Sequence, residues 1–172
     1  MAGPRTDGPE LRVYLLVEEL QRQVLFEPGI LFVERQFGVL EIHASDKGVV
    51  QQAGQAILAG IGASAADQLR PRTLYSDVIE DITDQHAIIL NRNRQASMVM
   101  PGETLLVYEM TPALFATVAA NEAEKAAPTL TLVDVQMIGA AGRVYLSGQL
   151  PDILRARDAI ATTLEAVLGR EH

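Results

Sequence analysis

Apolar residues along this chain come in short runs broken by Gly, Pro and charged residues. That is the pattern of short strands alternating with amphipathic helices. Leu11–Val17 is mainly apolar and predicts a strand, and the polar stretch Glu18–Gln23 predicts a short helix or turn. After the punctuation at Pro28–Gly29, Ile30–Val33 and Val39–His43 predict two strands joined across Arg35–Gly38. Asp46–Lys47–Gly48 is a turn suited to capping a helix. Val49, Val50, Ala53, Ile57, Leu58 and Ile61 follow helical spacing, with Gly60 and Gly62 closing it. Ser64–Pro71 is the best interdomain linker.

The second half repeats the alternation. Leu74–Ile79 predicts a strand with a loose likeness to Leu11–Val17, Gln85–Asn93 a short helix, and Thr104–Tyr108 a further strand. Thr111–Pro112 is expected to open a helix running to Ala127, because proline near a helix start loses little by lacking its N–H. Pro128 then stops that helix. Strands over 129–136 and 143–147 flank a glycine-rich loop, Gly139–Gly142. Pro151 starts a last helix whose Ile153, Leu154, Ile160, Leu164 and Val167 form one apolar face. The fold class is α+β, with helices on one sheet face.

Part of the pattern occurs twice. PGILFVERQFGVLEIHAS from Pro28 and PTLTLVDVQMIGAAGRVYLS from Pro128 match at Val33 with Val133, Glu34 with Asp134 and Gln36 with Gln136. A strand–loop–strand met twice suggests two copies of one unit.

Composition narrows the function. With 172 residues, 48% of them hydrophobic, two small cores are possible, each marginal alone, so oligomerisation is expected. Only eight residues are aromatic, four Phe and four Tyr, so Ala, Val, Leu and Ile must do most of the packing. A net charge of −8 gives no basic footprint for phosphates, which argues against nucleic acid. The absence of Cys excludes disulfides and thiolate metal sites. Met1–Glu10 is polar, with no signal-peptide pattern, and no apolar run approaches ~20 residues, so no membrane span is expected.

The candidate chemistry is sparse. His43, His86 and His172 have no metal-ligand spacing, so no metal is expected. Asp77, Glu80, Asp81 and Asp84 form an acidic cluster best read as a solvated face. Gly139 and Gly142 lack the Lys and Ser/Thr of a phosphate loop. Ser64 follows a helix, not a strand, and so does not fit a nucleophile elbow. No catalytic residue and no cofactor is expected. Glu34–Arg35 is an adjacent opposite-charge pair at a strand end, which by residue type alone is an ordinary pair of surface charges. Copies meeting on a symmetry axis would form a charged ring that selects among ions, and exposed pairs worth only ~0.2–1 kcal/mol would let it switch.

ELRVYLLVEELQRQ, PGILFVERQFGVLEIHAS, AIILNRNRQASMVMPGETLLVYE, AANEAEKAA and GAAGRVYLSG, in that order, resemble the tandem-domain, trimer-forming shell proteins of bacterial microcompartments. Among these they are most similar to the carboxysome shell proteins with a gated pore. The resemblance implies two circularly permuted shell domains, over 10–66 and 67–172, after a flexible tail at 1–9. It implies homotrimeric pseudohexameric tiles, with stacking of two trimers, and contacts with hexameric and pentameric shell proteins. It places the gate on Glu34 and Arg35, with Gln36, Phe37, Gly38, Gly139, Ala140, Ala141 and Gly142 as pore-loop neighbours and Lys125 at the tile edge.

Small anionic metabolites such as ribulose bisphosphate, phosphoglycerate or bicarbonate are the implied cargo. The shell of a cytoplasmic carboxysome is the implied location. Against that pattern the first copy is short, because Gln23 is followed almost at once by Pro28. Leu25, Phe26 and Phe32 are therefore expected to pack against another subunit, or the first copy to be less ordered. A shell protein of a catabolic microcompartment and a ferredoxin-like regulatory oligomer binding a small ligand are the alternative readings.

Overall fold

The computed structural model describes Val17, Gln21 and residues 26–34, 37–92 and 97–171. The chain divides into two compact units, Met1–Gln68 and Leu69–His172.

In the first unit, β1 (Glu27–Glu34) and β2 (Phe37–His43) form an antiparallel hairpin, followed by helix α1 (Lys47–Gly60). Asp46 caps α1 as its position predicts: its carboxylate accepts the amides of Gly48 at 2.6 Å and Val49 at 3.4 Å. Gly62, at φ +78°, turns the chain out of the helix, and the Ala63 amide bonds the Leu58 carbonyl at 2.8 Å. Val17, Phe26 and Ala53 form the core, with Leu40, Ile42, Ala44 and Val49 against it. Phe26 therefore finds its cover inside its own unit, and the expectation that it needs another subunit does not hold. The reason is local: Ala53 is fully buried and small enough to admit the ring beside α1. Leu25 lies outside the described residues, as do residues 11–16 of the first predicted strand; its last residue, Val17, is helical, as is Gln21.

In the second unit, β3 (Arg72–Ile79), helix α2 (Asp84–Asn91), β4 (Thr104–Thr111), helix α3 (Phe115–Ala126), β5 (Thr131–Ile138), β6 (Ala141–Gly148) and helix α4 (Leu150–Glu165) follow in order. The sheet is antiparallel throughout, in the order β3-β4-β6-β5. One face buries Leu106, Tyr108, Met110, Val144 and Leu146 under α3 and α4. The face that α3 presents is alanine (Ala116, Ala119, Ala120, Ala123), which lets the helix lie close to the strands. From α4 come Ile153, Ala156, Ile160 and Leu164. Ala156 belongs to this face and Leu154 is only partly buried, while Val167 lies beyond the helix end. On the opposite sheet face, α2 and Val99 cover Leu105 and Val133.

Two boundaries differ from the sequence reading. Pairing of Arg72 with Thr111 carries β4 to Thr111, so Pro112 lies in the connection and α3 starts only at Phe115. Ile138 pairs with Ala141, so the glycine-rich loop shrinks to the turn Gly139–Ala140.

The repeat is real at the level of hairpin and helix, but its register differs from the one the two prolines suggest. Glu34 pairs with Phe37 across two residues, as Ile138 pairs with Ala141. Structurally, then, Glu34 corresponds to Ile138 and Gly38 to Gly142, rather than Glu34 to Asp134. Turn geometry sets strand register, and the matched identities from Pro28 and Pro128 do not. The helices that follow correspond through their N-caps, Asp46 and Gln149, which aligns the two fully buried alanines Ala53 and Ala156.

Candidate functional site

The residues singled out in the sequence fall on two corresponding hairpins and one helix end. Glu34 is the last residue of β1, and Phe37 and Gly38 open β2; Arg35 and Gln36 lie outside the described residues. On the second hairpin, Gly139 takes φ +62°, a conformation that favours glycine, and makes the turn with Ala140. The Thr111 hydroxyl donates to the Ala140 carbonyl at 3.0 Å, which ties this turn to the end of β4. Ala141 and Gly142 already belong to β6. A Cβ on Gly142 would stand 2.2 Å from the Ala113 carbonyl oxygen, so this glycine admits the segment that leads into α3.

The base of the first hairpin carries a pair that the sequence reading missed. Glu41 and His43 share one face of β2, with His43 Nε2 3.3 Å from the Glu41 carboxylate. The second carboxylate oxygen of Glu41 accepts the Ile30 amide at 3.3 Å. The E-x-H spacing on a strand was the available signal, since alternate residues face the same way.

Lys125 lies in the last turn of α3, exposed, with Nζ 2.7 Å from Glu122. That hydrogen bond is the main reason the Glu122 carboxyl sits below its ordinary range. Asn91 clamps Val99 in both directions: its side-chain NH2 donates to the Val99 carbonyl at 2.7 Å and its side-chain oxygen accepts the Val99 amide at 2.8 Å. Across β4 and β6, Arg143 meets Glu109 at 3.1 Å, and this bond chiefly pushes the guanidinium pKa up.

In the acidic cluster, Asp77 accepts the Tyr75 hydroxyl at 2.9 Å and caps the Val78 amide, and the Tyr75 phenol is pushed up mainly by that bond. Among the described residues no group of three or more His, Cys, Asp or Glu is placed to hold a metal ion, and His172 lies outside them. No helix among the described residues is long and apolar enough to cross a membrane.

Comparison with known proteins decides the family. The model of the CsoS1D N-terminal domain matches residues 24–67, the hairpin and helix of the first unit. The carboxysome shell protein CcmP of Synechococcus elongatus is 38% identical over 165 residues, 96% of this chain and 77% of that protein. The chain belongs to this family of tandem-domain microcompartment shell proteins. Two solved shell proteins of the RMM microcompartment share its fold. One, described as double-ringed and trimeric, is 62% identical with a TM-score of 0.89, over 96% of this chain and 82% of that one. The other, described as a fused permuted hexameric shell protein, is 44% identical with a TM-score of 0.84, over 94% and 79%. Family membership resolves the choice between a shell protein and a ligand-binding regulator in favour of the shell.

Proposed function

We propose that three copies of this shell protein build a pseudohexameric tile, and that Glu34 and Arg35 gate its central pore. The observation that carries this reading is the repeated hairpin and helix. A chain holding two such units, here assigned to 10–66 and 67–172, offers six quasi-equivalent units in a trimer. The charged pair then recurs three times around one axis, while the corresponding Gly139–Ala140 turn brings no charge. Crossed Glu–Arg pairs close the opening, and turning the arginines aside leaves a wider, charged ring that selects among ions. Two such trimers stack, as the double-ringed description of a relative suggests for that protein. Lys125 stands at the tile edge, facing hexameric and pentameric shell proteins. The role is structural and selective, without catalysis.

The likeness to CcmP supports a carboxysome, with ribulose bisphosphate, phosphoglycerate or bicarbonate as cargo. A second reading, a different microcompartment, is favoured by the 62% identity to an RMM shell protein. Identifying the enzymes inside purified compartments separates the two, since a carboxylase marks the first. The gate itself is tested by comparing structures of wild-type and Arg35→Ala tiles. The substitution should preserve fold and assembly and favour one pore state. A Glu34 far from the symmetry axis in both would end the gate assignment.

A further inference from the structure

The hairpin that ends at Glu34 is not regular. Pro28 pairs with Ile42 and Leu31 with Leu40, so Gly29 and Ile30 together oppose Glu41. This is a β-bulge, two residues facing one, and it shifts by one the pairing register of every later residue of β1. Without it, Phe32 rather than Val33 would pair with Gly38.

We propose that Glu41 is a positioning residue that fixes this bulge and thereby sets the register in which Glu34 pairs with Phe37. The pore role of Glu34 rests on the reading above; the register role of Glu41 does not. Three observations carry it. Glu41 is the residue opposite the bulge, and its carboxylate accepts the Ile30 amide at 3.3 Å. His43 holds the other carboxylate oxygen at 3.3 Å, which keeps the group lying over the bulge. Gly29 makes room: a Cβ there would stand 2.9 Å from the Glu41 carboxylate and 2.7 Å from His43 Nε2. The bulge is thus held by a side chain from the facing strand.

The chain has no cysteine, so engineered pairs report the register cleanly. Gly38 has no atom within 4 Å of an added Cβ, and a cysteine fits there. In the bulged register Val33→Cys/Gly38→Cys should oxidise to a disulfide, and Phe32→Cys/Gly38→Cys should not. Mass spectrometry after oxidation of the full chain gives the ratio. Glu41→Ala should raise the share of the 32–38 bridge about fivefold, the effect of losing one typical hydrogen bond. Glu41→Gln, whose amide oxygen still accepts the Ile30 amide, should keep the native ratio. Gly29→Ala, which displaces the carboxylate without removing it, should move the ratio the same way as Glu41→Ala, by less. An unchanged ratio in Glu41→Ala, or equal losses in Glu41→Gln and Glu41→Ala, would overturn the assignment. The cross-link reads register whether or not the hairpin lines a pore, so failure of the gate leaves it standing.

Discussion

The corresponding glycines Gly38 and Gly142 offer a controlled experiment within one chain. At Gly142 an added methyl would lie 2.2 Å from the Ala113 carbonyl oxygen, 3.0 Å from its carbon and 2.8 Å from the Ala116 Cβ. None of these is the free end of a long side chain, so either the entry to α3 or strand β6 must move. Overpacking of this kind costs about 1–3 kcal/mol. At ~4–8 °C per kcal/mol for a domain of about 100 residues, Gly142→Ala should lower Tm by roughly 10 °C. Gly38→Ala meets nothing within 4 Å. It should be neutral or slightly stabilising, since alanine narrows the unfolded ensemble by about 0.4–1 kcal/mol. Thermal unfolding followed by circular dichroism gives both values, and hydrogen exchange locates the loss at β6 and α3. Equal Tm for the two variants would refute the argument that Gly142 is a packing glycine and that turn register aligns the units.

Asn91→Ala should destabilise the second unit by about 2 kcal/mol in urea unfolding, because it strands both backbone groups of Val99, which is only 1% exposed. Arg143→Ala should cost no more than ~1 kcal/mol by the same measurement, the usual scale of a cross-strand pair. Lys125→Ala should leave stability nearly unchanged and return the Glu122 pKa toward its ordinary value by NMR titration. The sign follows from the lowered pKa: the pair's contribution is present above the ordinary carboxyl range and is lost as pH falls through the depressed value. If Lys125 meets a neighbouring tile, the same variant should also weaken sheet formation under the electron microscope.

Much of the fold was legible because each element carries its own local chemistry. Asp46 announced α1, Pro128 and Pro151 bounded the helices, and the strands of the hairpins stood between turn residues. What the sequence did not reveal depended on partners distant in the chain. β4 runs on to Thr111 because β3 pairs with it that far, and proline composition alone placed a helix there instead. The repeat register followed matching letters, whereas the backbone follows its two-residue turns. The charged pair at the end of β1 was visible as a pattern. Glu41 was not, because its meaning comes from a bulge in the opposite strand.

In the proposed tile, hairpin tips from three chains surround one opening. A three-dimensional reconstruction of the purified oligomer by electron microscopy, with its mass from light scattering, tests this most directly. The reconstruction should show threefold symmetry, a mass of three or six chains of 18.6 kDa, and Glu34 at the central opening. A monomer at micromolar concentration, or an assembly with Glu34 on its outer rim, would contradict it.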